Sequence, residues 1–185
     1  MLELCVCSFN CAKRPDLLAR INSTMEQHFE TMAASSPLLR SRFILFISYY
    51  ADLLFVNHLP RQQRMVDFVV SEMAPEDEEG TSQVLAIHAV DCVNNFLMDK
   101  LIHPVLRPAI PALIDKFALL AQTTTITSFF EMLILLAKFK DDTPQEQLIH
   151  LTQALVARVV KEQNKNPKDN PTRDLVIAKC WNTLR

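Results

Sequence analysis

Cysteines and histidines have the most direct capacity for chemistry in this sequence, and there are five of each. Cys5, Cys7 and Cys11 crowd together, and thiolates gathered in that way bind zinc or copper. The spacing argues against a metal centre. Cys7 and Cys11 share a helical face, Cys5 is turned away from Cys7, and there is neither a CxxC pair nor a histidine at a fitting distance. His28, His58, His88, His103 and His150 are scattered, with no HExxH or other paired spacing. They read as surface or interface positions. The serines lack a GxSxG elbow, and each cysteine lacks the local signature of a catalytic thiol. The expectation is a protein that is not an enzyme and carries no cofactor and no metal. An active site assembled from distant residues leaves no local mark, so an all-α enzyme with a buried pocket stays open as an alternative.

Charge is equally undramatic. The formal net charge is -2 and the isoelectric point is near 6.2, so no global basic field exists to hold a nucleic-acid backbone. Glu76-Asp77-Glu78-Glu79, followed by Gly80, is an acidic run that reads as a solvated connection, with contact to a basic partner as the functional alternative. Lys161, Lys165 and Lys168 are too sparse for a nucleic-acid patch.

The elements that position these residues are helices. One glycine in 185 residues leaves almost no place for primed hairpin turns or phosphate-cradling loops, which disfavours sheet proteins and nucleotide-binding α/β folds. Ten prolines supply punctuation instead, opening helices in their first turn, with connections expected to avoid left-handed residues. Ser36-Pro37 and Asn170-Pro171 read as an N-cap followed by proline, and Thr143-Pro144-Gln145-Glu146 adds a capping box. Pro15, Pro60 and Pro104 open further segments. Leu148, Leu151, Leu155 and Val159 form one stripe at helical spacing, while Gln147, His150, Gln153, Arg158 and Lys161 are expected off it. The segment from Ile126 to Phe139 is apolar nearly all round, which implies burial on more than one side, with Phe129, Phe130 and Leu133 in the core.

This reading predicts helices over about 2–13, 16–33, 37–55, 60–74, 81–98, 105–121, 125–139, 144–163 and 171–185. Pro108 and Pro111 blur the start of the sixth. Starts near 37, 81, 125 and 171 alternate with starts near 16, 60, 105 and 144, so each set recurs at roughly 39–46 residues, the period of HEAT and armadillo arrays. The fold class expected is all-α, an α-α superhelix of about four helix pairs (2–33, 37–74, 81–121, 125–163) plus one helix at 171–185. Within it 37–55 runs antiparallel to 60–74, 125–139 to 144–163, and each pair stacks on the next. A closed helical bundle is the competing architecture. Both terminal helices are apolar on more than one side, which suggests a piece of a longer solenoid. No stretch is long and apolar enough to span a bilayer, no signal peptide is evident, and the odd, scattered cysteines fit a reducing compartment.

The segment Ser36-Pro37-Leu38-Leu39-Arg40-Ser41-Arg42, running into the aromatic stretch Phe43 to Phe55, resembles the importin-β or karyopherin-β superfamily of nuclear transport receptors. There a proline-led helix with spaced arginines opens a HEAT repeat. Leu85-Ala86-Ile87-His88-Ala89-Val90 to Met98, then Ile102-His103-Pro104-Val105-Leu106-Arg107-Pro108 and Leu113-Ile114, is similar to the next repeat of the long importins and the CAS-type exportin. The resemblance covers roughly residues 36–185 and implies a middle segment of a receptor. The acidic run and the three prolines at 104, 108 and 111 depart from the pattern. By resemblance the partners are protein cargo, the GTPase Ran and Phe-Gly nucleoporins, and the location is cytoplasm and nucleus. First helices of the pairs (37–55, 81–98, 125–139) would form a convex wall for Phe-Gly peptides. Second helices (60–74, 105–121, 144–163) would line a concave wall, offering Arg61, Arg64, Asp67, Lys116, His150 and Arg158 as protein contacts. A HEAT or armadillo scaffold of another complex, such as a phosphatase or vesicle coat, is the nearest rival.

Overall fold

The computed structural model describes residues 14–51, 53–73, 81–123, 139, 143–164 and 171–184. The expected helix over 2–13, all but the last residue of the one expected over 125–139 with its Phe129, Phe130 and Leu133, the cysteines at 5, 7 and 11, the acidic run at 76–79 and the lysines at 165 and 168 lie outside them. Within the described residues the chain is all-helical. The helices are α1 (Pro15–Ala33), α2 (Pro37–Tyr50), α3 (Leu59–Ser71), α4 (Thr81–Met98), the single turn α5 (His103–Leu106), α6 (Ile110–Thr123), α7 (Gln145–Gln163) and α8 (Pro171–Leu184). None of them is long and apolar enough to cross a membrane.

Proline opens these helices as the residue pattern requires, because its missing N–H costs nothing in the first turn. Pro15 and Pro37 occupy the first helical position, and Pro60 sits one residue further in, behind an N-cap His58 whose Nδ1 accepts the Arg61 amide at 3.4 Å. The expected capping box at Thr143 does not form. Pro144 is the N-cap of α7, and the Thr143 hydroxyl donates backwards to the Phe139 carbonyl at 3.0 Å. Thr143 is itself buried, so its hydroxyl has to find a nearby acceptor. The segment expected as one helix from 105 is divided. The 3-10 turn Arg107–Ala109 separates α5 from α6, as Pro108 and Pro111 interrupt the hydrogen-bond ladder there. The helix expected to run to residue 55 stops at Tyr50. The turn after it does use left-handed residues, Phe55 (φ 55) and Asn57 (φ 68). Asn tolerates that region, and Phe55 is held in it by a buried ring and by an amide that donates to Asn22 Oδ1 at 3.0 Å.

Polar rungs reveal how the helices are arranged. Along α2 and α4, Ser41 Oγ lies 2.5 Å from His88 Nδ1 and Asn95 Nδ2 donates to Ser48 Oγ at 2.7 Å, both with a sequence offset of 47. A constant offset means parallel helices. Glu26 and Glu30 of α1 pair with Arg61 and Arg64 of α3 at offsets of 35 and 34, so this pair is parallel too. Gln147 reaches Asp115 and Arg158 reaches the Gln122 carbonyl, at offsets of 32 and 36, which aligns α7 with α6 in the same sense. Neighbours within a pair run the other way: Arg40 bridges to Glu72 at 3.0 Å while Phe43 meets Phe68 at 5.4 Å, so one number rises as the other falls.

Apolar faces close between these rows. Phe29, Phe43 and Phe68 form a triangle of rings with centroids 5.4–5.7 Å apart, tying α1, α2 and α3 together. The two contacts of Phe29 are edge-to-face, an arrangement that favours the ring quadrupoles. Further along, Phe96, Leu106, Ile114 and Phe117 are fully buried, and the buried apolar residues form one continuous cluster from Ile21 to Cys180. In α7, Leu151, Leu155 and Val159 face it as their spacing predicts.

Candidate functional site

Helices α3, α6 and α7, which carry the candidate contact residues, are linked in series. α3 meets α5 and the 3-10 turn, α5 and that turn lead into α6, and α6 lies along α7. The six candidates have different fates on this row. Arg61 and Arg64 are engaged within the fold: each pairs with a glutamate of α1, and their guanidinium carbons sit 5.9 Å from the Phe55 ring and 4.5 Å from the Phe29 ring. A cation over an aromatic face gains from the ring quadrupole while keeping one edge wet. His150 is exposed on α7.

Arg158 does not belong to the surface. Its side chain is 3% exposed and its Nε lies 2.9 Å from Oε1 of Glu162, which is 2% exposed. Its Nη1 donates to the Gln122 carbonyl at 2.7 Å. The expectation that Arg158 lies off the apolar stripe fails because it falls three residues after Leu155 and seven after Leu151, on the same face. Glu162, one turn on, makes that placement tolerable by neutralising it. The thiol of Cys180 faces this pair, and burial pushes it up to about 11.

Asp67 and Lys116 are brought together at an open cleft of about 400 Å³ between α3 and the α5–α6 junction. Val70, Pro108, Ala109 and Ala112 make its apolar surface, and Gln63, Asp67, Ser71 and Lys116 its polar rim. The cleft exists because the proline-interrupted turn presents small side chains to α3. Lys116 Nζ donates to the carbonyls of Ser71 and Met73, at 3.3 Å each, capping the C-terminal end of α3. Burial lowers its pKa from the ordinary lysine value, with Glu72 opposing the shift. The Asp67 carboxylate is exposed and accepts a hydrogen bond from Gln63 Nε2 at 2.8 Å.

Several residues of this surface were not singled out from the sequence. Glu26 and Glu30 have no sequence signal, because their arginine partners are more than thirty residues away. Ile149, Val156 and Val160 are exposed on the face of α7 opposite its buried residues; their spacing of seven and four was legible as a second apolar stripe.

Elsewhere the polar groups serve packing. His88 is half-buried, and its pKa is lowered by that burial, with Asp91 pulling it up and Arg42 pushing it down. Cys92 and Cys180 are free, buried thiols, and burial drives the Cys92 pKa far above the usual thiol range. Among the described residues no three potential metal ligands come together. Comparison of the chain with protein-family models, with curated proteins and with solved structures found no match.

Proposed function

We propose that this chain is a protein-binding segment of a HEAT-type helical array, working within an importin-β-type receptor that carries protein cargo under Ran control. The observation that carries the binding reading is the parallel register of the alternate helices, with offsets of 47 between α2 and α4 and 34–35 between α1 and α3. Rows built in this way extend by repetition and expose long walls, and such walls bind other macromolecules by area. The transport reading is supported by the resemblance of the segments at 36–55 and 85–114 to karyopherin repeats.

The test is to immobilise the chain at high density, because individual Phe-Gly contacts are weak and multivalency makes them measurable. A Phe-Gly repeat polypeptide should be retained. A protein captured from cell extract should be released or recruited by Ran bound to a non-hydrolysable GTP analogue and left unchanged by Ran bound to GDP. If repeats pass through unretained and no captured protein responds to Ran, the chain belongs to another scaffold, such as a phosphatase or vesicle-coat subunit.

A further inference from the structure

We propose that the cleft between α3 and the α5–α6 junction receives one apolar side chain of an extended peptide segment from a partner protein, and that a lysine or arginine beside it pairs with Asp67. This deepens the protein-binding reading and rests on it. Adjacent helices normally fill the groove between them with branched side chains. Here Pro108, Ala109 and Ala112 fall short, leaving about 400 Å³ above Val70. Dispersion contacts are missing on the open side. The cleft opens to solvent along one side, whereas small-molecule sites enclose most of their ligand. A linear segment that inserts one side chain and keeps its backbone at the rim fits that shape.

Charge on the rim selects the neighbour of that side chain. Arg64, one turn before Asp67, is held by Glu30 and by the Phe29 ring. Lys116 directs its ammonium to the carbonyls of Ser71 and Met73, where it offsets the negative end of the α3 dipole. Among the described residues Asp67 has only the neutral Gln63 amide against it. Its carboxylate is therefore not neutralised by either nearby cation. A basic residue on the peptide gains an ion pair, and an acidic one meets like charge.

The experiment titrates the isotopically labelled chain with three ten-residue Gly-Ser peptides carrying a central Leu-Lys, Leu-Glu or Ser-Lys, followed by amide chemical shifts. Saturable shifts at Val70, Ala109 and Ala112 are expected with Leu-Lys and not with the other two. Asp67→Asn should weaken Leu-Lys binding about threefold, the size of an exposed ion pair, and Asp67→Lys should move the preference to Leu-Glu. Ala112→Phe puts a ring where the peptide side chain would sit and should abolish the shifts with the circular dichroism spectrum unchanged; Ala112→Leu serves if the larger ring prevents folding. Equal response to all three peptides, no saturable shift with Leu-Lys, or persistence of the shifts in the filled variants overturns the proposal. So does a concentration-dependent dimer that Ala112→Phe dissolves, since a second copy would then be the occupant. None of these readouts involves Ran or Phe-Gly repeats, so failure here and failure of the transport reading are separately visible.

Discussion

Removing Glu162 tests whether the ion pair inside α7 is a structural requirement created by the burial of Arg158. Both side chains are nearly inaccessible, at 3% and 2%, with Nε and Oε1 2.9 Å apart. With charge centres about 4 Å apart and an effective dielectric near 20, the attraction is about 4 kcal/mol. Glu162→Ala removes that attraction and leaves the guanidinium buried, retaining the Gln122 carbonyl as an acceptor. The expected cost is about 3–5 kcal/mol, the range for breaking one partner out of a buried pair. Arg158→Met combined with Glu162→Leu removes both charges and keeps volume, so it should cost less than either single change and can stabilise by about 1–4 kcal/mol. The assay is urea denaturation of the parent, Arg158→Met, Glu162→Leu and the double variant as a double-mutant cycle, with Glu162→Ala measured beside them, compared at constant denaturant dependence so that only the midpoint reports stability. A loss below about 1 kcal/mol for Glu162→Ala, outside the expected range, or a coupling energy near zero would refute the reasoning. Arg158 would then reach solvent, and its place among surface contacts would be restored.

Phe43→Ala should destabilise the chain by about 3–5 kcal/mol, because its ring meets both Phe29 and Phe68 at 5.4 Å; denaturant midpoints measure this, and a loss under about 1 kcal/mol would mean α1, α2 and α3 do not share that contact. The burial of His88 lowers its folded pKa, so the unfolded chain takes the proton first and this contribution to stability is complete above about pH 6.5. It falls as the pH drops from there through the folded pKa; thermal melts between pH 7.5 and 5 should show the decline, and His88→Gln should flatten it. Cys92 and Cys180 should resist a thiol reagent in the folded chain and react on denaturation, since burial keeps both thiols protonated; peptide mapping by mass spectrometry that finds either one labelled under native conditions would contradict their burial.

Helix identity was written locally. Proline at 15, 37, 60 and 171, apolar spacing in α7 and the near absence of glycine depend on interactions within a turn or two, so the sequence alone specifies an all-helical chain and most helix starts. Where two local signals competed, the tertiary structure chose. Thr143 carries a capping pattern, yet its buried hydroxyl turns to the Phe139 carbonyl. Phe55 takes a left-handed conformation that its own sequence disfavours, because Asn22, on α1, accepts its amide. Arg158 reads as a solvent residue by type and as a core residue by position, and position prevails once Glu162 supplies the opposite charge. The rungs Ser41–His88 and Ser48–Asn95, the glutamate–arginine pairs and the cleft beside Asp67 each join residues 30 to 50 positions apart. Helical periodicity sets which face a residue occupies, but which residue stands opposite depends on where the neighbouring helix lies. That is decided only when the apolar faces close together.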